Sequence, residues 1–320
     1  MLVRLTTASL NHRDLFQRRG LYPGTAPSIP LLADGAGTVL TASSPLHGKL
    51  AIICPIRGWV SAASGPETAA IAILGGTKHY TNGTLQEFAV FDEADVVAAP
   101  PHLSPEEAAA LPLCGLTAWR AVISKGKIAP GENVLITGIG GGVALMALLF
   151  CVGRGARVFV TSSSQDKIER AMALGAAGGV SYRSKTWEKD LAALLPGDRK
   201  YLDAVVDGAG GDVIPRVTRI MRDGGRVVVY GMTTGPSMPL PMGAVLKNIE
   251  VLGSTMGSRK EFSEMLEFVS EKQLRPVVDR VYDGLDIEEL EKMWGRMEEG
   301  GQFGKLVVRI RQDGEGASKL

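Results

Sequence analysis

The spacing of hydrophobic and polar residues changes character at Asn133. Before this residue, short apolar stretches are separated by turn residues, which predicts a β-rich domain of short strands. After it, β-prone apolar runs alternate with segments of helical character, a pattern typical of a parallel sheet covered by helices on both faces. We predict six strands in this second region, in the order of a dinucleotide-binding fold, at residues 133–137, 157–161, 179–182, 204–207, 226–230 and 249–252.

The other predicted elements make the β-rich domain discontinuous. In the first region we predict strands at residues 1–9, 30–40, 49–54, 85–90 and 93–98, and helices at 11–20, 105–111 and 117–125. Later helices are predicted at 166–174, 212–221, 261–274 and 286–300, and a last strand at 305–310 has no helix after it. We therefore expect a substrate domain at 1–116 and 258–320, a cofactor-binding domain at 117–257, and a disordered tail at 311–320.

The first turn of the second region is rich in glycine. Gly138, Gly140, Gly141 and Gly142 follow the strand directly, and Val143 opens an apolar helix. Their spacing fits G-x-x-G-x-x-A as well as the beginning of G-x-G-x-x-G. In a strand–turn–helix unit such glycines let the backbone approach a pyrophosphate, which the helix N-terminus holds with free N–H groups. The pattern therefore predicts that this turn binds a dinucleotide.

The end of the second strand favours NADP(H) over NAD. An acidic residue at this position would bind the ribose 2′-hydroxyl of NAD. The sequence instead has Ser162 and Ser163, with Lys167 in the first turn of the next helix. Hydroxyl groups, a helix N-terminus and an ammonium together suit a 2′-phosphate, although a serine cap and a solvated lysine would give the same pattern.

Composition excludes several classes of function. The chain has 320 residues, of which 45% are apolar and 22% charged, and its net charge is +1. A charge so close to zero gives no electrostatic case for nucleic acid or an anionic membrane. Three cysteines are too few and too scattered for a disulfide framework or a four-cysteine zinc site. With no signal-peptide pattern and no apolar run long enough for a bilayer, we expect a cytoplasmic protein.

The order of these parts resembles the medium-chain dehydrogenase/reductase superfamily, and most closely its zinc-free quinone oxidoreductase branch. The likeness covers most of the chain and lies in the glycine turn and in residues 10–14, 20–23, 33–37, 113–119 and 303–310. It implies an α/β fold in which a Rossmann domain is joined to a discontinuous β-rich domain of the GroES-like type. Family members open with further strands before the segment that begins here, so we expect an N-terminal truncation.

The resemblance also implies that two zinc ligands are replaced. Zinc-dependent relatives bind the catalytic metal with a Cys, a His followed by Glu, and a Cys. The matching positions here hold Asn11, Ala33 followed by Asp34, and Cys114. One thiolate cannot form the three-ligand site of a catalytic zinc. We therefore expect no metal, and hydride transfer from NADPH to a quinone or an α,β-unsaturated carbonyl, in which conjugation already makes the accepting atom electrophilic.

Further site residues are implied by the resemblance. Asn11 and Thr117 would lie beside the nicotinamide, and Tyr182 near the adenine. The residues that follow the fifth and sixth strands would flank the nicotinamide end of the cofactor: Gly231, Met232, Thr233, Thr255 and Met256.

Three side chains of the N-terminal region are candidate proton donors: His12, Asp14 and Tyr22. A helix cap is the competing role for Asp14. Solvent is the competing source of the proton, in which case no residue would be essential for this step.

Two other functions compete with the quinone or enone reductase. A trans-acting enoyl reductase for a carrier-bound acyl chain would need a basic entrance, for which Arg13, Arg18 and Arg19 are candidates. A cofactor-binding protein with weak or no catalysis would result if the substrate domain is incomplete.

The sixth strand should form an apolar sheet edge, and such an edge, together with the family resemblance, predicts a homodimer.

Overall fold

The computed structural model describes residues 1–69 and 71–310, so the expected tail at 311–320 lies outside the described residues. The strands are β1 (Leu2–Ser9), β2 (Asp34–Val39), β3 (Leu50–Ile53), β4 (Ile56–Arg57), β5 (Ala72–Ile73), β6 (Phe88–Val90), β7 (Val96–Ala98), β8 (Asn133–Ile136), β9 (Arg157–Ser162), β10 (Gly178–Ser181), β11 (Leu202–Asp207), β12 (Met221–Val229), β13 (Glu250–Gly253), β14 (Val278–Asp283) and β15 (Lys305–Arg309). The α-helices are α1 (His12–Arg18), α2 (Pro105–Ala110), α3 (Pro112–Trp119), α4 (Gly142–Gly153), α5 (Gln165–Ala173), α6 (Trp187–Leu194), α7 (Val213–Val217), α8 (Met242–Leu246), α9 (Arg259–Glu271) and α10 (Ile287–Glu299).

The chain forms two compact units. Among the described residues, unit one comprises Met1–Leu116 and residues 257–310, and unit two comprises Thr117–Met256. None of the helices in the part of the chain that the structure describes has the length and apolar character needed to cross a bilayer.

Unit one is built on a seven-stranded sheet with the order β14-β15-β1-β2-β3-β7, in which β6 also pairs with β1. β15 lies between β14 and β1, so the C-terminal strand completes a sheet that begins at the N-terminus. α2 packs on β1 and β2. It begins with the predicted capping box, in which Ser104 and Glu107 each accept the other's backbone N–H.

Unit two has a six-stranded sheet with the order β10-β9-β8-β11-β12-β13. All five strand pairs are parallel. This is the predicted doubly wound order, and β13 is the predicted edge strand. The side chains of α4 from Ala144 to Cys151 are all buried, which explains why this helix has no polar face.

Two sequence predictions are wrong in part, and several elements, β14 among them, were not predicted. The helix predicted at 212–221 ends at Val217, because Met221 pairs with Leu202 in the sheet and buries its side chain in the core of unit two. The first half of the strand predicted at 93–98 is a 3₁₀ turn that Asp92 caps. β14 was not predicted, because Tyr282 alone among its six residues is buried and the alternation of apolar and polar residues is weak.

Candidate active site

The glycine turn of unit two has the geometry that a pyrophosphate needs. Gly138 and Gly140 have φ values of +65° and +125°, which glycine adopts far more readily than other residues. Gly141 is the N-cap of α4 and offers no side chain to the N–H groups of the first helical turn. A Cβ atom at Gly141 would meet only the Gly138 carbonyl oxygen, at 3.9 Å. The turn therefore leaves open space in front of a helix N-terminus, and it fits a dinucleotide phosphate.

A buried carboxylate that the sequence analysis missed fixes the ends of β8 and β11 beside this turn. Asp207 accepts hydrogen bonds from the Thr137 hydroxyl at 2.5 Å and from the backbone N–H groups of Ala209 and Gly210 at 3.0 Å. Burial raises the pKa of Asp207 above its ordinary value, against the opposing effect of these donors. The signal in the sequence is an acid that directly follows the apolar run at residues 204–206.

Loops that follow β11 and β12 are also joined. The Thr233 hydroxyl donates to the Gly208 carbonyl at 3.3 Å, and the Thr234 hydroxyl to the Ala209 carbonyl at 2.8 Å. Gly231 is half-buried and Met232 is exposed. The predicted residues of this loop therefore lie at the carboxyl edge of the sheet, where open α/β sheets bind their ligands.

Beyond β13, the chain brings two of the predicted residues together. The Thr117 hydroxyl lies 3.7 Å from the Met256 sulfur, and both side chains are buried. Met256 has a φ of +47°, an uncommon conformation for a residue other than glycine. Thr255 is exposed.

The ends of β9 and β10 carry the residues predicted to select the cofactor. Ser162 is buried and its hydroxyl accepts the Ser164 N–H, so it shapes the turn. Ser164 caps α5 by accepting the Lys167 N–H. Ser163 and Lys167 are half-buried, and Tyr182 is exposed.

Arg183 is a further basic residue at this edge that the sequence analysis missed. Ser181 is the register partner of Ser162, which places Tyr182 and Arg183 directly after the strand that neighbours β9. Arg183 is exposed, and its guanidinium has no hydrogen bond or ion pair with a described residue. A second cation is therefore available near the predicted 2′-phosphate position.

Unit one contains a buried group of polar side chains that we call the Lys305 cluster. It comprises Asn11 at the N-cap of α1, Asp34 at the start of β2, Cys114 on α3 and Lys305 at the start of β15. The Lys305 ammonium donates to Asn11 Oδ1 at 2.6 Å and to Asp34 Oδ2 at 2.9 Å. Asn11 Nδ2 donates to Asp34 Oδ2 at 2.9 Å, and the Cys114 thiol donates to Asn11 Oδ1 at 3.3 Å. Asp34 Oδ1 accepts the Leu113 N–H at 2.8 Å.

The charges of this cluster offset each other. Asp34 is fully buried and Lys305 is only 4% exposed. Burial, the largest single effect, lowers the pKa of Lys305, but the charge and hydrogen bond of Asp34 together with Cys114 and Asp14 outweigh it, and the net shift of the pKa is upward. Burial raises the pKa of Cys114 to about 11, so this thiol is protonated at neutral pH and is not a reactive thiolate. Sequence analysis predicted the strand that starts at Lys305 but gave the lysine itself no role.

Asp14 lies next to this cluster and caps α1, as the competing sequence interpretation held. Its carboxylate accepts the Asn11 N–H at 2.8 Å and lies 3.2 Å from the Arg13 guanidinium. Tyr22 is half-buried, with the Arg13 guanidinium 5.0 Å from its ring centre. His12 is exposed.

The arginines considered as a basic entrance are otherwise engaged. Arg13 is buried and donates to the carbonyls of Leu74 and Gly75. Arg18 and Arg19 form ion pairs with acids of α10, namely Glu291 and Glu298. Arg13 is therefore buried within unit one, whereas Arg18 and Arg19 remain exposed and paired with acids.

Comparison with known proteins agrees with this geometry. Residues 1–101 match the alcohol dehydrogenase GroES-like domain family, and residues 142–271 match the zinc-binding dehydrogenase family. The zinc-type alcohol dehydrogenase-like protein YogA of Leptosphaeria maculans is 46% identical over 323 residues, which cover 97% of this chain and 90% of that protein. The acryloyl-coenzyme A reductase of Metallosphaera sedula is 25% identical over 317 residues, covering 96% and 91%.

A solved structure described as an NAD-dependent alcohol dehydrogenase has a TM-score of 0.86 and 34% identity, with 97% of this chain and 91% of that chain covered. Fold, glycine turn and relatives together define an oxidoreductase that uses a nicotinamide cofactor. The chain belongs to the medium-chain dehydrogenase/reductase superfamily.

Zinc is implied by the family description, but the residues present do not fit it. Asn11, Asp34 and Cys114 offer one thiol with an amide and a carboxylate, and the Lys305 ammonium lies among them. Catalytic zinc takes three protein ligands, drawn from Cys, His, Asp and Glu. Within residues 1–69 and 71–310, no group of three or more such side chains is arranged to hold a metal ion.

Asp14 generates a pH-dependent prediction. Burial raises its pKa from 3.8 to about 6, although the Arg13 charge and the Asn11 N–H act in the opposite direction. A carboxyl whose pKa is higher in the folded state binds its proton more tightly there, so its contribution to stability falls as the pH rises from about 4 to about 6. Asp14→Asn should remove this loss. The free energy of unfolding of Asp14→Asn minus that of the original protein should therefore be about 2–3 kcal/mol larger at pH 7 than at pH 4.

Urea denaturation at both pH values measures this difference, with Asp166→Asn on the exposed surface of α5 as the matched control. A stability difference between Asp14→Asn and the original protein that is the same at both pH values would contradict the prediction.

Proposed function

We propose that this protein transfers hydride from NADPH to a quinone or an α,β-unsaturated carbonyl without a catalytic zinc. The observation that carries the proposal is the Lys305 cluster, because an ammonium lies among the side chains that match the metal ligands of zinc-dependent relatives. In such an acceptor, conjugation already makes the accepting carbon electrophilic, so its reduction needs no zinc ion as a Lewis acid. The likeness to an acryloyl-coenzyme A reductase supports the same class of acceptor.

A bound NADPH would supply the hydride for the β-carbon of the acceptor and would itself become NADP+. As the β-carbon gains that bond, the π pair of the C=C bond forms a double bond between the α-carbon and the carbonyl carbon, and the carbonyl π pair moves onto oxygen to give an enolate. The family resemblance implies that Asn11 would donate an amide N–H to this enolate oxygen and that Thr117 would orient the nicotinamide. Solvent supplies the proton to the product, because both Asp14 oxygens are engaged inside unit one.

A screen of acceptors tests the proposed reaction. With NADPH, a small quinone or a conjugated enone should accelerate cofactor oxidation, and the rate should persist after dialysis against a zinc chelator. Gly140→Val is the control that should not bind the cofactor, because it places a branched side chain at a position with a φ of +125°. Binding of NADPH without acceleration by any acceptor would favour the cofactor-binding protein. Activity that requires added zinc would overturn the proposal.

Cofactor preference gives a second prediction. We infer that Ser163, Lys167 and Arg183 hold the 2′-phosphate of NADPH, with Tyr182 near the adenine. Lys167→Ala and Arg183→Ala should each weaken NADPH binding by about tenfold, the loss expected for one charge-assisted hydrogen bond. NADH affinity should stay unchanged, since NADH lacks this phosphate.

Fluorescence titration with both cofactors measures the two affinities. Lys189→Ala on the exposed face of α6 removes the same charge and serves as the control. Equal affinities for NADPH and NADH in the original protein would contradict the NADP(H) assignment.

Assembly as a dimer is the third prediction of this subsection. The edge strand β13 and the preceding segment expose large apolar side chains: Leu240, Met242, Val245, Leu246 and Val251. An exposed apolar edge of this kind favours pairing with a second copy. Light scattering should give a dimer mass, and Val251→Lys should lower it toward the monomer. Val60→Lys, at an exposed loop valine of unit one, should leave the mass unchanged. A monomer mass for the original protein would contradict the prediction.

A further inference from the structure

The carboxamide of Asn11 has only one orientation that its partners allow. The Lys305 ammonium can only donate, so the oxygen of the amide must face it, at 2.6 Å. The Asp34 carboxylate can only accept, so the nitrogen of the amide must face that side, at 2.9 Å. Because the two partners have opposite hydrogen-bonding character, a flipped amide would lose both bonds.

One amide hydrogen of Asn11 remains available. Nδ2 has two N–H groups, of which one donates to Asp34. Among the described residues, no acceptor takes the other. An asparagine held by both ends in this way is a pre-organised single donor, since its rotamer and its amide plane are already fixed before any ligand arrives.

The charge next to this donor changes its strength. Lys305 is 4% exposed and Asp34 is fully buried, so little water screens the ammonium from Asn11 Oδ1. A cation bound at the carbonyl oxygen draws electron density from the amide, and hydrogen bonds that share one group strengthen each other. The Nδ2 hydrogen should therefore be a stronger donor than that of an ordinary asparagine.

We propose that Lys305 is a positioning residue that polarises Asn11, so that the remaining amide N–H of Asn11 acts as the electrophilic group toward the developing oxyanion of the acceptor. The charge of the buried Lys305 ammonium thus acts through its hydrogen bond to Asn11 Oδ1 and stabilises the oxyanion, as a bound cation would. This inference rests on the proposed function, and it adds to it the residue that supplies the positive charge.

A plain structural alternative is that Lys305 only neutralises Asp34. Lys305→Met removes the ammonium at similar side-chain length, but it leaves a buried carboxylate without its cation and should destabilise unit one. The double variant Lys305→Met/Asp34→Asn removes both charges and should recover most of that stability. If the charge acts on the reaction, kcat of the double variant stays at least about tenfold below the original value, while KM for NADPH is unchanged. Recovery of kcat together with stability would overturn the proposal.

A double-mutant cycle tests whether the effect passes through Asn11. Asn11→Ala should lower kcat, and in that background Lys305→Met/Asp34→Asn should cost little more, because the donor that the ammonium polarises is already absent. Additive losses would overturn the relay through Asn11.

A spectroscopic measurement tests the same claim without turnover. The side-chain amide resonances of Asn11, assigned by their loss in Asn11→Asp, should move upfield when Lys305→Met is added to Asp34→Asn. The comparison isolates the ammonium, since the carboxylate is absent from both proteins. Unchanged resonances would overturn the proposal even if no acceptor is reduced, whereas an inactive original protein with the expected shift would count only against the proposed function.

Discussion

The buried ion pair of Lys305 and Asp34 is the interaction on which the functional end of unit one depends. Removing two charges from water is costly, and their attraction offsets the cost only where further hydrogen bonds satisfy both groups. Here Asn11 bridges them, and the Leu113 N–H holds the other oxygen of Asp34. The sheet makes this possible, because β1 lies between β2 and β15 and brings the three chain segments to one end.

Unit two carries the turn for which we predict dinucleotide binding, largely through backbone N–H groups. Its glycine turn keeps the start of α4 accessible, and Asp207 fixes the adjoining strand ends through Thr137. Recognition of phosphate by backbone N–H groups tolerates change in side chains, whereas the polar cluster of unit one does not. The family relationship therefore establishes a nicotinamide-dependent oxidoreductase, and the side chains of unit one carry the proposal about its acceptor.

Local periodicity predicted the elements whose burial is uniform. β8, β11 and α4 are buried along all or most of their length, so a short window of sequence identifies them. The missed β14 and the overextended helix at α7 depend on pairing partners distant in the chain, such as Leu202 opposite Met221. Lys305 was missed for the same reason, because its burial follows from the register of β15 against β1, which local sequence does not encode.

We propose that the Lys305 ammonium takes the place that the metal has in zinc-dependent relatives. The most direct measurement is anomalous diffraction on both sides of the zinc absorption edge, from crystals of the protein grown with zinc. We expect no anomalous peak within bonding distance of Cys114 Sγ, and the Lys305 ammonium hydrogen-bonded to Asn11 and Asp34. A zinc peak bound by Cys114 and Asp34, with Lys305 displaced, would contradict the account.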